Sequence, residues 1–115
     1  MTKSKSKTFV LSGEIPWVTM AAGLKRQILG YDDQLMMVRV LFDRGAVGAL
    51  HSHSHRQVSF VESGKFEIEI AGEMQMLTAG DSFFVPPDMP HKAVALEPGC
   101  LVDVFAPARE NFLAM

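Results

Sequence analysis

Short segments in which apolar and polar residues alternate, separated by turn signals, constrain this fold more than any other feature of the sequence. In the segment "KFEIEIAG", Phe66, Ile68 and Ile70 fall on one face and the intervening glutamates on the other. An alternation of period two is that of a half-buried strand, and no long segment shows the period of 3.6 of an amphipathic helix. The sequence therefore predicts an all-β fold.

The other predicted strands follow from the same alternation. "GLKRQILGY" and "LMMVRVLF" are predicted strands joined by the turn "YDDQ", and "HKAVALEPG" and "CLVDVFAP" are predicted to form a hairpin turning at residues 97–99. Many short strands favour a sandwich or a closed barrel, because closure removes exposed strand edges. "LMMVRVLF" and "CLVDVF" are apolar on both faces, so we expect amino-terminal strands or a second subunit to cover the outer face.

Length and charge set the limits of the domain and its partners. A chain of 115 residues is long enough for one domain and too short for two. The formal net charge of −2 gives no basis for nucleic-acid binding, which needs a basic face. The basic stretch "TKSKSK" predicts a flexible tail over residues 1–7, with the folded domain over residues 8–115.

Two further absences from the sequence indicate a cytoplasmic protein. No apolar run has the length of a secretory signal or of a membrane span. Cys100 is the only cysteine, which excludes an intrachain disulfide and fits a reducing compartment. Its apolar surroundings in "PGCLVDVF" indicate a small buried side chain rather than a nucleophile.

Three of the four histidines lie on alternate positions of "HSHSH", residues 51–55. In a regular strand, residues 51, 53, 55 and 57 would share one face. Imidazoles at positions i and i+2 of a strand can chelate one metal ion. The alternative is a solvated edge strand, or histidines that are each satisfied separately. The clustering favours the metal site.

The sequence resembles the cupin family over two motifs, which are G-x5-H-x-H-x3/4-E-x6-G and G-x5-P-x-G-x2-H-x3-N. The residues that match, with the motif spacings, are Gly45, His51, His53, Gln57 and Gly64, then Gly80, Pro86 and His91. The resemblance implies a cupin double-stranded β-helix, or jelly-roll barrel, over about residues 34–105. It also implies a metal ion held by His51, His53, Gln57 and His91.

Three positions depart from the cupin motifs: Gln57 replaces the usual Glu, Asp88 a Gly, and Ala95 an Asn. Three imidazoles and an amide are all neutral, so a divalent ion would keep its full charge and would favour an anionic substrate. Such ligands suit nickel, zinc, manganese, iron and cobalt alike. His55 either faces the cavity as a proton carrier or leaves that face and is structural.

A narrower resemblance, over about residues 23–113, is to the small KdgF-type pectin-degradation cupins. It is carried by "AVGALHSHSHRQVSFVESGKFE", "GDSFFVPPDMPH" and "GCLVDVFAPARENFL". This resemblance implies a homodimeric, metal-dependent isomerase or lyase-type enzyme. Its substrates would be 4,5-unsaturated uronate monosaccharides from pectin or alginate, opened to linear 4-deoxy-5-keto uronates. The implied catalytic residues are Asp103, Phe105 and Arg109.

Each of these residues also has a simpler interpretation. Asp103, on an otherwise apolar strand, is either a proton carrier or a buried structural aspartate that pairs with an arginine. Arg109 can fork onto a uronate carboxylate or form a surface ion pair, and Phe105 can pack against the sugar or fill the barrel. The competing functions are a metal-dependent dioxygenase and a non-catalytic sugar-binding cupin.

Overall fold

Eight β-strands carry most of the chain in the computed structural model, which describes residues 4–113. A 3-10 turn at Ser12–Glu14 precedes them, and a short helix follows. The strands are β1 (Val18–Ala21), β2 (Leu24–Tyr31), β3 (Met36–Phe42), β4 (Val47–His51), β5 (Arg56–Ile70), β6 (Glu73–Thr78), β7 (Ser82–Val85) and β8 (His91–Ala106), and the helix is α1 (Glu110–Leu113). The predicted all-β class is confirmed.

The two long strands, β5 and β8, pair with each other along almost their whole length and organise the rest. The carboxyl-terminal half of β8 pairs with β3, and its amino-terminal half pairs with β4. In the same way, the first half of β5 pairs with β7 and its second half with β6. Each long strand therefore passes from one layer of the barrel to the other, and β1 and β2 extend the layer that contains β3.

The predicted hairpin at residues 97–99 is wrong, because β8 continues from His91 to Ala106 without a turn. The β5–β8 register shifts between Val61 and Phe66, where both strands bend. Gly64 and Gly99 lie at this crossing. A Cβ atom on Gly64 would stand 2.6 Å from the Gly99 Cα, and one on Gly99 would overlap the Ser63 carbonyl oxygen. The Glu-Pro-Gly signal therefore marks a close approach of two backbones.

The alternation predicted for β3 is confirmed. Met36, Val38, Val40 and Phe42 are buried in the barrel core, whereas Met37 and Leu41 are exposed on the outside. The core continues across the barrel through buried side chains of β5 and β8, which include Val61, Phe66, Ile68, Leu101 and Phe105.

The amino-terminal segment covers only part of the outside of this layer. The Gln27 amide of β2 donates to the carbonyls of Ser12 and Ile15, at 2.7 and 2.9 Å, and Gln27 is 2% exposed. The neighbouring strands keep apolar side chains exposed on the same outer surface. We call this surface the outer apolar face, and it consists of Met37, Leu41, Val58, Phe60 and Phe84.

The chain already contacts the barrel before residue 8. The backbone N–H of Ser6 donates to the Tyr31 carbonyl at 2.8 Å, and the Ser6 hydroxyl accepts from the Tyr31 N–H at 3.0 Å. Residues 1–3 lie outside the described residues, so the flexible tail over residues 1–7 stays a prediction. No helix between residues 4 and 113 is long and apolar enough to cross a membrane.

The crossing of β5 and β8 predicts a specific intolerance at Gly99. Gly99→Ala should lower the free energy of unfolding by about 1–3 kcal/mol, because the new methyl group would overlap the Ser63 carbonyl. Gly30→Ala is the matched control, since Gly30 also lies in a strand and its Cβ would meet nothing within 4 Å. Urea denaturation measures both. Equal effects of the two substitutions would contradict the close approach.

Candidate metal centre

Three histidines converge at one end of the barrel. His51, His53 and His91 each offer a ring nitrogen, and these three atoms all lie within 4.8 Å of one another. His51 ends β4 and lies opposite His91, the first residue of β8, in the strand register. His53 comes from the loop between β4 and β5. This group could hold one metal ion.

The regular strand predicted over residues 51–57 is wrong. β4 ends at His51, and β5 begins only at Arg56. A regular strand from 51 to 57 would span about 20 Å, too far for both ends to reach one ion. The loop instead folds the chain back, so that the Gln57 Oε1 lies 3.0 Å from the His53 Nε2.

Main-chain carbonyls fix the proton positions on all three rings. A carbonyl oxygen only accepts hydrogen bonds, so each Nδ1 must carry a proton and donate it. In a neutral ring the lone pair then lies on Nε2, the form of imidazole that binds metal ions. The pairs are His51 Nδ1 with the Ala49 oxygen at 2.7 Å, His53 Nδ1 with the His55 oxygen at 3.0 Å, and His91 Nδ1 with the Met89 oxygen at 2.9 Å.

His91 supplies the strongest evidence that this group suits a cation. Its Nε2 is buried and has no hydrogen-bond partner among residues 4–113. Burial lowers the pKa of His91 to about 4, so the ring is neutral at pH 7. Burial also lowers the pKa of His53. A buried acceptor without a donor is costly, and a metal ion would remove that cost.

Gln57 presents an oxygen to the same space. Its Nε2 donates to the Ser59 hydroxyl at 2.9 Å, which leaves Oε1 facing the His53 Nε2. Both facing atoms are acceptors when the His53 proton is on Nδ1, and a cation bound by both satisfies this arrangement. Three imidazole nitrogens and one amide oxygen therefore form a donor set that fits a divalent transition metal.

Asp103 lies on the inner face of β8, opposite Ser59 of β5 on one side and Val38 of β3 on the other. The Ser59 hydroxyl donates to its Oδ1 at 2.6 Å. Burial raises the pKa of Asp103 to about 6, although the Ser59 hydrogen bond and the charge of Arg109 both act to lower it. Among residues 4–113 the hydrogen bond to Asp103 thus comes from a serine, and Arg109 acts on it only through its charge.

The segment after β8 places Arg109 against aromatic rings. The Arg109 guanidinium carbon lies 4.3 Å from the centroid of the Phe112 ring and 5.3 Å from that of Phe105. Arg26 of β2 contacts the same Phe112 ring at 4.2 Å and donates from Nη2 to the Phe112 carbonyl at 3.1 Å. Burial lowers the pKa of Arg109, and Asp103 opposes that effect.

One cavity of about 90 Å³ brings these groups together. Six of the seven predicted site residues line it, and His53 belongs to the histidine group beside it. The six are His51, Gln57, His91, Asp103, Phe105 and Arg109. Sequence reasoning missed Ser59, Arg26 and Phe112. The sequence indicates only that residues 26 and 59 occupy inward-facing positions of their strands.

His55 does not belong to the histidine group. Its main-chain carbonyl orients His53, whereas its own Nδ1 is buried without a partner among the described residues. This geometry supports the structural role and not the proton carrier.

The other two departures from the cupin motifs have local explanations. Asp88 adopts φ = 64°, a conformation that Asp tolerates better than most residues, and its N–H donates to the His53 carbonyl at 2.7 Å. Ala95 is buried, and its main chain bonds to Gly45 and Ala46. Neither position contributes to the donor set.

Comparison with known proteins gives consistent matches. The Cupin_2 family, described as the cupin domain, matches residues 38–105. The pectin degradation protein KdgF of Dickeya dadantii (strain 3937) is 39% identical over 109 residues, which are 93% of this chain and 99% of that protein.

Two solved structures share both the fold and much of the sequence. An RmlC-like cupin from Shewanella frigidimarina NCIMB 400 has a TM-score of 0.92 and 46% identity, covering 94% of this chain and 97% of that one. KdgF from Halomonas sp. has a TM-score of 0.88 and 42% identity, covering 93% of this chain and 99% of that one.

The donor set predicts that the protein binds roughly one divalent ion per chain. Loss of a hydrogen bond to a metal ligand typically weakens metal binding about 10- to 100-fold. Because His91 is a proposed ligand itself, His91→Ala should weaken Zn²⁺ binding by at least that factor. His55→Ala is the matched control and should bind Zn²⁺ like the parent, because the His55 ring only packs against the edge of the His53 ring and the carbonyl that orients His53 is kept. Titration against a chromophoric chelator, with elemental analysis, measures both. Unchanged affinity in a folded His91→Ala protein would exclude this ligand set.

Proposed function

Because the chain belongs to the cupin domain family and is a homologue of KdgF, we propose that it opens the ring of 4,5-unsaturated uronate monosaccharides. The products are linear 4-deoxy-5-keto uronates, and the substrates come from the breakdown of pectin or alginate. The observation that carries this proposal is the cavity in which a carboxyl group, an arginine and the histidine group meet. The proposed metal ligands are His51, His53, Gln57 and His91.

The substrate defines what the site must do. It is a hemiacetal whose ring oxygen is bonded to a vinylic carbon that also bears a carboxylate. A base removes the proton of the anomeric hydroxyl, the bond between C1 and the ring oxygen breaks, and the electron pair moves onto that oxygen. The resulting enolate becomes a ketone when C4 gains a proton, which replaces the one removed from the hydroxyl. The reaction is an isomerisation and consumes no other reagent.

Asp103 is the proposed proton carrier. Burial holds its pKa at about 6, close to neutral pH, where a base and its conjugate acid are both accessible. The ionised carboxylate takes the hydroxyl proton, and the protonated form then returns it to C4 of the enolate. Its place on the cavity wall beside Phe105 suits contact with a sugar ring.

Arg109 is the proposed carboxylate-binding residue. A guanidinium can donate two parallel hydrogen bonds to a carboxylate, and it stays charged even when buried. Its Nε is buried without a hydrogen-bond partner among residues 4–113, so this donor is available to a ligand. The Phe105 and Phe112 rings hold the guanidinium in place. A bound divalent ion would supply Lewis acidity toward oxygen atoms of the substrate.

The test follows the ultraviolet absorbance of the 4,5-double bond of the unsaturated monouronate after addition of metal-loaded protein. Asp103→Asn should lower kcat by about 10²- to 10⁴-fold with metal content unchanged, because it removes the proton carrier. Since the base must be ionised, kcat of the parent should fall as the pH drops below about 6.

Arg109→Ala provides the contrast within the same experiment. It should raise KM at least as much as it lowers kcat, because the carboxylate is present in substrate and transition state alike. Arg109→Lys should recover part of the loss. Full turnover by a folded, metal-loaded Asp103→Asn protein would remove Asp103 from the mechanism. Binding without turnover in the parent would indicate a sugar-binding cupin, and oxygen consumption a dioxygenase.

We also propose a homodimer formed through the outer apolar face. Its five side chains are each about 39–52% exposed, and they lie on β3 on one side of β8 and on β5 and β7 on the other. Within residues 4–113 the amino-terminal segment covers β2 and leaves these side chains open. A second copy of the chain would bury them. We place the protein in the cytoplasm, where its single buried Cys100 would stay reduced.

The dimer predicts a mass near twice 12.7 kDa by light scattering. A stable interface buries more than about 1,000 Å², so the dimer should persist at micromolar concentration. Phe60→Lys should give a monomer, because it places a charge within the outer apolar face. Met74→Lys is the matched control, as Met74 is similarly exposed but lies on β6, outside that face. A monomeric parent protein would refute the proposal.

A further inference from the structure

Ser59 links the proposed metal ligand Gln57 to the proposed proton carrier Asp103. It lies on the inner face of β5 and is fully buried. Its hydroxyl oxygen accepts from the Gln57 Nε2 at 2.9 Å, and its O–H donates to the Asp103 Oδ1 at 2.6 Å. The strand pairing dictates this contact, because Gln57 and Ser59 share a face and Ser59 stands opposite Asp103.

The direction of these hydrogen bonds follows from the donors available. The Gln57 NH₂ group only donates, so it occupies an acceptor position of the Ser59 oxygen. The single hydroxyl proton of Ser59 is then free to go to Asp103, which accepts it on Oδ1. The chain of hydrogen bonds therefore runs one way, from amide through hydroxyl to carboxylate.

This direction has a consequence at each end. At Gln57, the bond from Nε2 keeps Oε1 facing the His53 Nε2 and the metal centre. Without it, the amide could turn by 180° and present N–H groups to a cation, which is repulsive. At Asp103, Oδ1 always accepts from Ser59, so any proton that the carboxyl group carries lies on Oδ2.

We propose that Ser59 is a positioning residue, which orients the Gln57 oxygen toward the metal and directs the Asp103 proton to Oδ2. The part that concerns Asp103 rests on the proposed function, whereas the part that concerns Gln57 requires only metal binding. Glutamine at position 57 fits this arrangement because its amide both donates to Ser59 and presents an oxygen to the metal centre. A glutamate there would have no N–H to donate, and the one Ser59 proton could then serve only one of two carboxylates.

The test is a double-mutant cycle read by Zn²⁺ affinity, with Zn²⁺ as the only added metal. Ser59→Ala in the parent should weaken Zn²⁺ binding about 10- to 100-fold, since it releases the amide orientation. The same change made in a Gln57→Glu protein should alter the affinity by less than about 3-fold, because the two oxygens of a carboxylate are equivalent and need no orientation. Competition with a chromophoric chelator measures all four proteins.

A purely structural role of Ser59 predicts a different result. Ser59→Ala would then weaken Zn²⁺ binding equally in the parent and in the Gln57→Glu protein, and that outcome overturns the inference, as does an unchanged affinity in both. Val61→Ala is the matched control, because Val61 is the next buried residue on the same face of β5. It should lower Tm without changing Zn²⁺ affinity. If Ser59→Ala does not fold, Ser59→Cys keeps the size of the side chain with a weaker donor and should show the same dependence on residue 57.

Turnover separates this inference from the proposed function. In Zn²⁺-loaded protein, Ser59→Ala should lower kcat for ring opening about 10- to 100-fold with little change in KM, because the carboxylate contact of Arg109 is intact. If the parent opens no uronate ring, the proposed function fails while the Zn²⁺ cycle still decides the role of Ser59 at Gln57. If the parent is active and Ser59→Ala leaves kcat unchanged, the part that concerns Asp103 is wrong.

Discussion

The pairing of β5 with β8 is the interaction on which the rest of the structure depends. Because these two strands bend together, each takes part in both layers, and every other strand of residues 4–113 except β1 and β2 pairs with one of them. Their register also sets the chemistry, since it places Ser59 opposite Asp103 and Gln57 opposite Phe105. The close approach of the two backbones at their glycines allows the bend. The site is thus a direct product of the strand pairing that forms the barrel.

The polar groups inside the barrel are oriented before any ligand arrives. Main-chain carbonyls fix the three imidazoles, and Ser59 fixes the Gln57 amide. Groups held in this way lose little conformational freedom when a metal or an anion binds, which is the advantage of a preorganised site. The Nε2 of His91 is buried without a hydrogen-bond partner among residues 4–113, which is a local cost in free energy that a bound cation would remove.

Much of this could be predicted from the sequence, and the failures have physical reasons. The alternation in β3 identified its buried face, because one face of that strand packs in the core and the other does not. The hairpin at residues 97–99 was wrong because Pro and Gly also occur where strands bend and backbones touch. The regular strand predicted over residues 51–57 is wrong because the chain leaves β4 after His51 and folds back before β5 begins at Arg56, which the alternation of histidines does not reveal. The roles of Ser59 and Arg26 could not be predicted, because their partners, Asp103 and Phe112, are distant in the sequence.

Because Asp103 and His91 are both buried in one cavity, the stability of the fold depends on pH through these two side chains. Burial raises the pKa of Asp103 from 3.8 to about 6 and lowers that of His91 from 6.5 to about 4. Between these limits, unfolding of the metal-free protein releases a proton from Asp103 and takes one up at His91. Stability from Asp103 is lost as the pH rises through about 6, whereas stability from His91 is lost as it falls through about 4, so the two contributions oppose each other. Burial also lowers the pKa of His53, so the contribution of His53 to stability has the same pH dependence as that of His91. The acid and the bases of the cavity thus change the stability of the metal-free fold in opposite directions as the pH changes.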